Sequence, residues 1–557
     1  MTRDDKGLYT SPCPAERIPC KMSICKKIVD KIHTKKIEED ALGKAKQFAL
    51  FSIARPHMRS FHASWFCFFM AFTSWFGIQP LLPTIQKELK LSKIDIANSG
   101  IASVAATIAI RIIIGPLCDR FGPRRTMSGL LIAGSMPLAL AGLVKDGTGL
   151  ILLRLFIGLL GGTFVPCQFW TSAMFNTKII GTANAVVGGW GNLGGGFTFI
   201  LMPGLFQLMK VIGADEFLAW KLAVVVPALI CISLGISILF TTDDCPQGRW
   251  AERKTDEVTI KVDQNGISNL GFEKELENGP TEDKVVKAIQ EPMKEISIIS
   301  QKENDTEDNI CTTDKCWSVV TVAILMIQYG LCFGIEIAVN TVLNLYFLYR
   351  FKKDDCNAKM FNTTNSTTSM TLAVDTNDCS ILDQDTASLI SSLFGLMNIF
   401  ARAMGGIYSD VLRKHFSLAG RFIAHFTSLL GEGFMLIIFS QMTTVPSAIG
   451  VMVLFSTFVQ MSEGTTFAIV PYVSARRVGI VAGFVGAGGN AGALIWNTIW
   501  RNYVEDDPSG WFWLLGIIVF IGSSLTLVAV VQQQRIWHAF KYCRPKNDKY
   551  EVKKCVS

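Results

Sequence analysis

The feature that most constrains this chain is a succession of apolar runs, each about as long as the ~20 residues a helix needs to cross a ~30 Å hydrocarbon core. The stretches from Met127 to Val144 and from Phe512 to Val531 are two of them. Lipid offers the backbone no hydrogen bonds, so runs of this length must be helical, and they lack the alternation of barrel strands. Only 18% of the residues are charged, against roughly a quarter in a soluble domain. The expected fold is therefore an all-α polytopic protein embedded in the lipid bilayer.

Hydropathy places twelve spans, at about 62–84, 96–117, 126–144, 149–171, 180–203, 219–240, 317–348, 386–408, 421–440, 446–471, 478–499 and 511–532. They group into a six-helix half at 61–241 and a second at 317–533, with tails at 1–60 and 534–557. The segment at 242–316 is charged and poor in aromatics, which predicts that it buries no core and stays largely disordered. The first ~50 residues are polar and basic, without the apolar core of a secretory signal peptide.

A net charge of +7 raises the question of nucleic acid, but Lys and Arg fall mainly in the tails and in alternate loops. Asp119-Arg120, Arg124-Arg125, Arg413-Lys414, Arg421, Arg476-Arg477, Lys541 and Arg544 would share one side, which the positive-inside rule makes cytoplasmic together with both termini. No nucleic acid is expected. The loop at 351–385 then lies outside, where Asn362 and Asn365 open glycosylation sequons and Cys356 and Cys379 could close a disulfide. Asn304 opens a third sequon in the cytoplasmic segment, where it should stay unused. Five cysteines inside spans (Cys67, Cys118, Cys167, Cys231, Cys332) read as small apolar packing residues, and with 6 His and no metal-ligand spacing neither a metal nor a cofactor is expected. A phosphate-binding Gly-x4-Gly-Lys-Ser/Thr loop is also absent, which argues against ATP-driven pumping.

The halves share two signatures. Arg111, Gly115 and Asp119 recur as Arg402, Gly406 and Asp410, 291 residues on. The lattice Gly188-Gly189-Trp190-Gly191-Asn192-Leu193-Gly194-Gly195 recurs as Gly486-Ala487-Gly488-Gly489-Asn490-Ala491-Gly492-Ala493, 298 residues on. Parallel repeats of this kind place a substrate site between the halves near the midplane. Arg111 lies eight residues before Asp119, about 12 Å along a helix, so both arginines sit deep in the membrane. Such a charge either snorkels to the interface, pairs with an acid, or binds substrate. Two guanidinium groups meeting from opposite halves need an anion between them, and a planar fork suits a planar oxyanion better than Lys would. The glycines permit close helix packing on any reading; Asn192 and Asn490 at matching lattice points add donors for a substrate, with Gly191 and Gly489 beside them.

The run Gly115-Pro116-Leu117-Cys118-Asp119-Arg120-Phe121-Gly122-Pro123-Arg124-Arg125 resembles the G-x-L-x-D-R-x-G-x-R-R loop of the major facilitator superfamily. With the paired arginines and the two Gly-Asn blocks, the chain resembles the nitrate/nitrite porter family within it, in its eukaryotic high-affinity branch. The resemblance implies a transporter, not an enzyme, in the plasma membrane. Arg111 and Arg402 would bind nitrate, the blocks around Asn192 and Asn490 would be the nitrate signatures, and Asp119, Arg120, Arg124, Asp410 and Arg413 would latch the cytoplasmic face. Tyr329 and Phe333, which share a helical face with Glu336, would wall the site with Phe164.

Glu336 lies about 21 Å along its helix from Arg350, again deep in the membrane. It either neutralises an arginine or carries a coupling proton; two Arg and one ionised Glu leave +1, which one nitrate cancels. The eukaryotic branch is proton-coupled, so the resemblance implies nitrate–proton symport. Alternatives are nitrate/nitrite exchange, facilitated passage of another small anion, or a nitrate-sensing receptor. Glu463 is a second intramembrane acid, read as a structural ion pair. Nothing in the sequence identifies an accessory subunit.

Overall fold

The computed structural model describes residues 37–253, 318–352, 380–474, 477–503, 507–532 and 534–541. Every regular element among them is helical. The first half holds α1 (His57–Phe76), prolonged by a short helix Leu82–Leu89, then α2 (Lys93–Phe121) and α3 (Pro123–Ala139). There follow α4 (Gly147–Ile157, continuing through a tighter turn Gly158–Thr163 into Phe164–Met174), α5 (Ile180–Val211) and α6 (Glu216–Thr241). The second half holds α7 (Ser318–Arg350), α8 (384–415), α9 (418–440), α10 (Val445–Val473), α11 (Val478–Trp500) and α12 (Pro508–Ser523). Helices α8 and α9 meet at a two-residue break, Phe416 and Ser417, with Ser417 at φ 56°, so eleven long apolar stretches make twelve spans.

The expected spans hold within a few residues, with two physical exceptions. Helix α1 begins at His57, four residues inside the predicted tail, because the preceding segment docks on the protein: Ala45 is fully buried, its N–H bonds Met174 O at 3.0 Å, and His57 Nε2 bonds Gly43 O at 2.7 Å. At the other end, α12 stops at Ser523 and tightens over Ser524–Leu527, where Gln328 ties Gly522 O and Thr526 to α7. Asn304, Asn362, Asn365, Cys356, Cys379, Arg476 and Arg544 lie outside the described residues.

Helix starts follow a rule of place. Helices α2, α4, α6, α8 and α12 start on one face, each with a Ser or Asp directly before it accepting a backbone N–H of the first turn: Ser92, Asp146, Asp215, Asp383 and Asp507. Helices α5 and α11 start on the opposite, basic face without such a local cap. Their first-turn N–H groups are bonded by a carboxylate of the other half. Asp410 of α8 accepts Gly181 N at 3.2 Å, Thr182 N at 2.6 Å and Thr182 Oγ1 at 2.7 Å. Asp119 of α2 accepts Gly479 N at 3.1 Å and Ile480 N at 3.2 Å. A carboxylate there also meets the positive end of the helix dipole.

Of the other residues expected in this latch, Arg124 pairs with Asp244 at 3.1 Å inside its own half, and Arg120 and Arg413 lie over Phe121 and Tyr472 rings. The base on Asp410 is Arg421, at 2.7 Å, not Arg413: the break at residues 416–417 folds the start of α9 back onto α8 and carries Arg421 to it.

The halves touch along α2–α11 and α5–α8, backbone against backbone. A Cβ on Gly115 would come 2.5 Å from Gly479 O, and one on Gly406 would come 2.3 Å from Gly181 O. These two contacts are related by the repeat. Gly406→Ala is therefore expected to push α8 off α5 at a cost of about 1–3 kcal/mol, read as a lowered Tm of the purified protein. Gly129→Ala, with nothing within 4 Å of its Cβ, should leave Tm unchanged.

Candidate functional site

Arg111 and Arg402 are both fully buried, and each enters the glycine lattice of the opposite half. Arg111 of α2 meets α11: its Nη1 donates to Gly486 O at 2.7 Å and its Nε to Gly161 O at 2.9 Å. A Cβ on Gly486 would lie 3.4 Å from Arg111 Cδ and Nη1. Arg402 of α8 meets α5, where a Cβ on Gly188, the repeat mate of Gly486, would lie 2.8 Å from Arg402 Nε. The lattices thus do more than bring helices together; they leave the volume that a guanidinium occupies.

The two environments differ. Arg402 donates Nη2 to Tyr329 Oη at 3.0 Å and pairs through Nη1 with Glu463 of α10. Arg111 has only carbonyls. Each keeps one buried N–H group without an acceptor among the described residues, Nη2 on Arg111 and Nε on Arg402. An unsatisfied charged donor at this depth is costly, and two of them, one from each half, favour an anion with several oxygens in one plane.

Flat rings surround them. The Phe164 ring centroid is 4.9 Å from Arg111 Cζ and 5.7 Å from Arg402 Cζ. Tyr329 and Phe333 stack on each other at 5.0 Å and face Phe164 at 6.0 and 6.1 Å. Gly489 seats this pair, since its Cβ would come 2.6 Å from Phe333 and 2.7 Å from Tyr329; Gly191 makes the same room for Phe68, whose ring reaches Phe164 at 5.6 Å. Both glycines, expected beside a substrate, are seats for aromatic rings. Sequence reading missed Phe68 and Phe467, the latter 4.8 Å from Phe164; buried phenylalanines are too common in such a chain to signal a site.

The amides and acids form a polar cluster, but not a symmetric one. Asn192 Nδ2 donates to Glu336 at 3.4 Å, whereas Asn490 Nδ2 turns to Gly486 O of its own helix at 3.3 Å; neither Oδ1 receives a bond. Asn398, one helical turn before Arg402, donates to the other Glu336 oxygen. The sequence analysis overlooked it, although its spacing of four from Arg402 was visible. Glu336 therefore contacts amides, and the acid bonded to an arginine is Glu463. No group of metal-ligating side chains occurs among the described residues.

Comparison with known proteins shows the family. The family model of the Major Facilitator Superfamily matches residues 64–497. The chain is 35% identical over 516 residues to High affinity nitrate transporter 2.5 of Arabidopsis thaliana, covering 92% of this chain and 86% of that protein. It is 33% identical to Nitrate transporter 2.2 of Chlamydomonas reinhardtii, over 83% of this chain and 76% of the relative. To the Nitrate/nitrite transporter NrtP of a Picosynechococcus species it is 30% identical, over 79% and 84%. Among solved structures, the human organic anion transporter MFSD10 (TETRAN) superposes with a TM-score of 0.50 at 11% identity, over 84% of this chain and 98% of that one, a likeness of fold.

The lattice contacts make an asymmetric prediction. In Gly188→Ala the new methyl meets an Arg402 held on two sides, so a loss of about 1–3 kcal/mol is expected, whereas Gly486→Ala makes only ordinary contact with Arg111. Thermal unfolding of the two variants, side by side, should show a clear drop for the first and little for the second.

Proposed function

We propose, on the premise that the chain belongs to the nitrate/nitrite porter family of the major facilitator superfamily, that it imports nitrate, and nitrite with it, across the plasma membrane. The observation that carries this reading is the pair of buried guanidiniums, one from each half, each with one unbonded N–H group. Nitrate is planar, carries one negative charge and offers three oxygens in the plane of a guanidinium fork. The flat rings of Phe164, Tyr329 and Phe333 suit the faces of such an ion.

The basic face is taken as cytoplasmic, by the positive-inside rule, with both termini on that side. Asp119 and Asp410 then bond the two halves together at the cytoplasmic end, and entry of nitrate to the cell requires these caps to open while the other end closes. This is alternating access about a site held between the halves. Coupling to protons follows from charge: the buried Arg402–Glu463 pair carries no net charge, an added nitrate brings it to −1, and one proton restores neutrality. That balance supports symport over exchange.

The test is uptake of labelled nitrate into proteoliposomes. An acid exterior should drive accumulation, and clamping both sides at one pH should leave only nitrate self-exchange; accumulation indifferent to the pH gradient would favour the exchanger instead. Arg111→Lys and Arg402→Lys keep the charge and lose the fork, so each should lower uptake by roughly tenfold or more, on the scale of about 1.5–3 kcal/mol for a charge-assisted bond. Uptake at the wild-type rate from a well-folded Lys variant would remove the direct-binding role of that arginine.

A further inference from the structure

Glu463 is fully buried, and its two oxygens meet different surroundings. Oε2 holds Nη1 of Arg402. Oε1 receives no hydrogen bond among the described residues, and the Glu336 carboxyl is a close neighbour of the same side chain. Two carboxyl groups that face each other without a donor between them are stable together when a proton lies on one of them. The other groups that face Glu463 are Arg402 on α8, Tyr329 and Cys332 on α7 and Glu432 on α9, with Arg111 beyond the rings. Glu432 is itself fully buried and neither of its oxygens is bonded, so it offers Glu463 no positive charge. The one cation in contact with Glu463 is the guanidinium assigned to nitrate.

We propose that Glu463 couples proton to nitrate by competing with nitrate for Arg402. With Glu463 ionised, its carboxylate occupies the Nη1 donor of Arg402. A proton from the outer solution that settles on Glu463 turns the carboxylate into a neutral acid and frees that donor, and nitrate takes it. The exchange balances: a guanidinium–carboxylate pair, a proton and nitrate become a carboxylic acid and a guanidinium–nitrate pair, with no change in net charge. When nitrate leaves on the inner side, Arg402 recovers Glu463 and the proton departs there. Glu336 cannot do this, because its partners are the amides of Asn192 and Asn398 and its protonation frees no guanidinium. Sequence reading placed the coupling proton on Glu336; the contacts move it to Glu463, with Glu336 as a positioning residue that keeps Oε1 of Glu463 facing a second acid.

The inference rests on nitrate being the substrate, and the experiment separates the two. The purified full-length protein is titrated with nitrate in weak buffer with a pH indicator, and nitrate affinity is measured across pH. Wild type should take up about one proton per nitrate bound, and its Kd should rise roughly tenfold per pH unit on the alkaline side. Glu463→Gln, which cannot hold Arg402 as a carboxylate does, should bind nitrate at alkaline pH as tightly as wild type does in acid, take up no proton, and lose pH-driven accumulation while self-exchange continues. Glu463→Asp should restore the pH dependence, and Glu336→Gln should keep it. Nitrate binding by wild type without proton uptake overturns the inference, and needs no variant to fold. So does a Glu463→Gln protein that keeps the wild-type pH slope, or a pH slope lost in Glu336→Gln and kept in Glu463→Gln. Absence of nitrate binding at every pH would instead strike the substrate assignment.

Discussion

Two arginines buried at the junction of two six-helix halves are the constraint to which the rest of this structure answers. An unpaired guanidinium in the membrane interior is expensive, and two of them near each other also repel. The cost is met in four ways that can be seen separately: backbone carbonyls of Gly161 and Gly486 on Arg111, the carboxylate of Glu463 and hydroxyl of Tyr329 on Arg402, and aromatic faces around both. The fourth is volume, since each guanidinium occupies space that glycines of the opposite half leave open. The same glycines that allow helices α5 and α11 to approach their neighbours therefore also admit the charge that makes the junction a binding site.

Much of this was legible in the sequence, and the reason is symmetry. A duplicated Arg-Gly-Asp spacing and a duplicated glycine lattice identify which spans correspond, which residues are deep, and where the halves meet. Helix number followed from run length, although only the break at Phe416 and Ser417 shows how α8 and α9 divide. What could not be read was which contacts the unduplicated residues would make. Glu463, Asn398 and Tyr329 belong to the second half alone, and Asn192 and Asn490, equivalent in the lattice, bond to different things. Arg421 replaced Arg413 as the base on Asp410 because a turn between helices, not spacing along one, sets that contact. The chain gave periodicity along helices readily, and contacts between helices only where duplication exposed them.

The departure from symmetry has functional weight. Arg111 is held by carbonyls, which do not titrate, and so offers the same donors at any pH. Arg402 is held by an acid and a phenol, so its availability depends on the protonation of its neighbours. On the proposed function, the tasks of recognising the ion and of registering the driving force would fall on equivalent residues in opposite halves. The sequence family in which the chain sits, with nitrate transporters among its relatives, is consistent with that division.

The backbone contacts of Gly115 with Gly479 and of Gly406 with Gly181 have a mechanical meaning. At these two points a glycine meets a backbone carbonyl of the other half, and the side chains beside them are the methyl of Ala185 and the carboxylate of Asp119. On the proposed alternating-access reading, this pair of contacts related by the repeat is where the fulcrum of a rocker would lie. Resistance to tilting is then concentrated in the carboxylate caps of Asp119 and Asp410 close by. The speed at which the molecule turns over becomes a matter of a few hydrogen bonds at one end of the lever, and is adjustable there without altering the site that grips the ion.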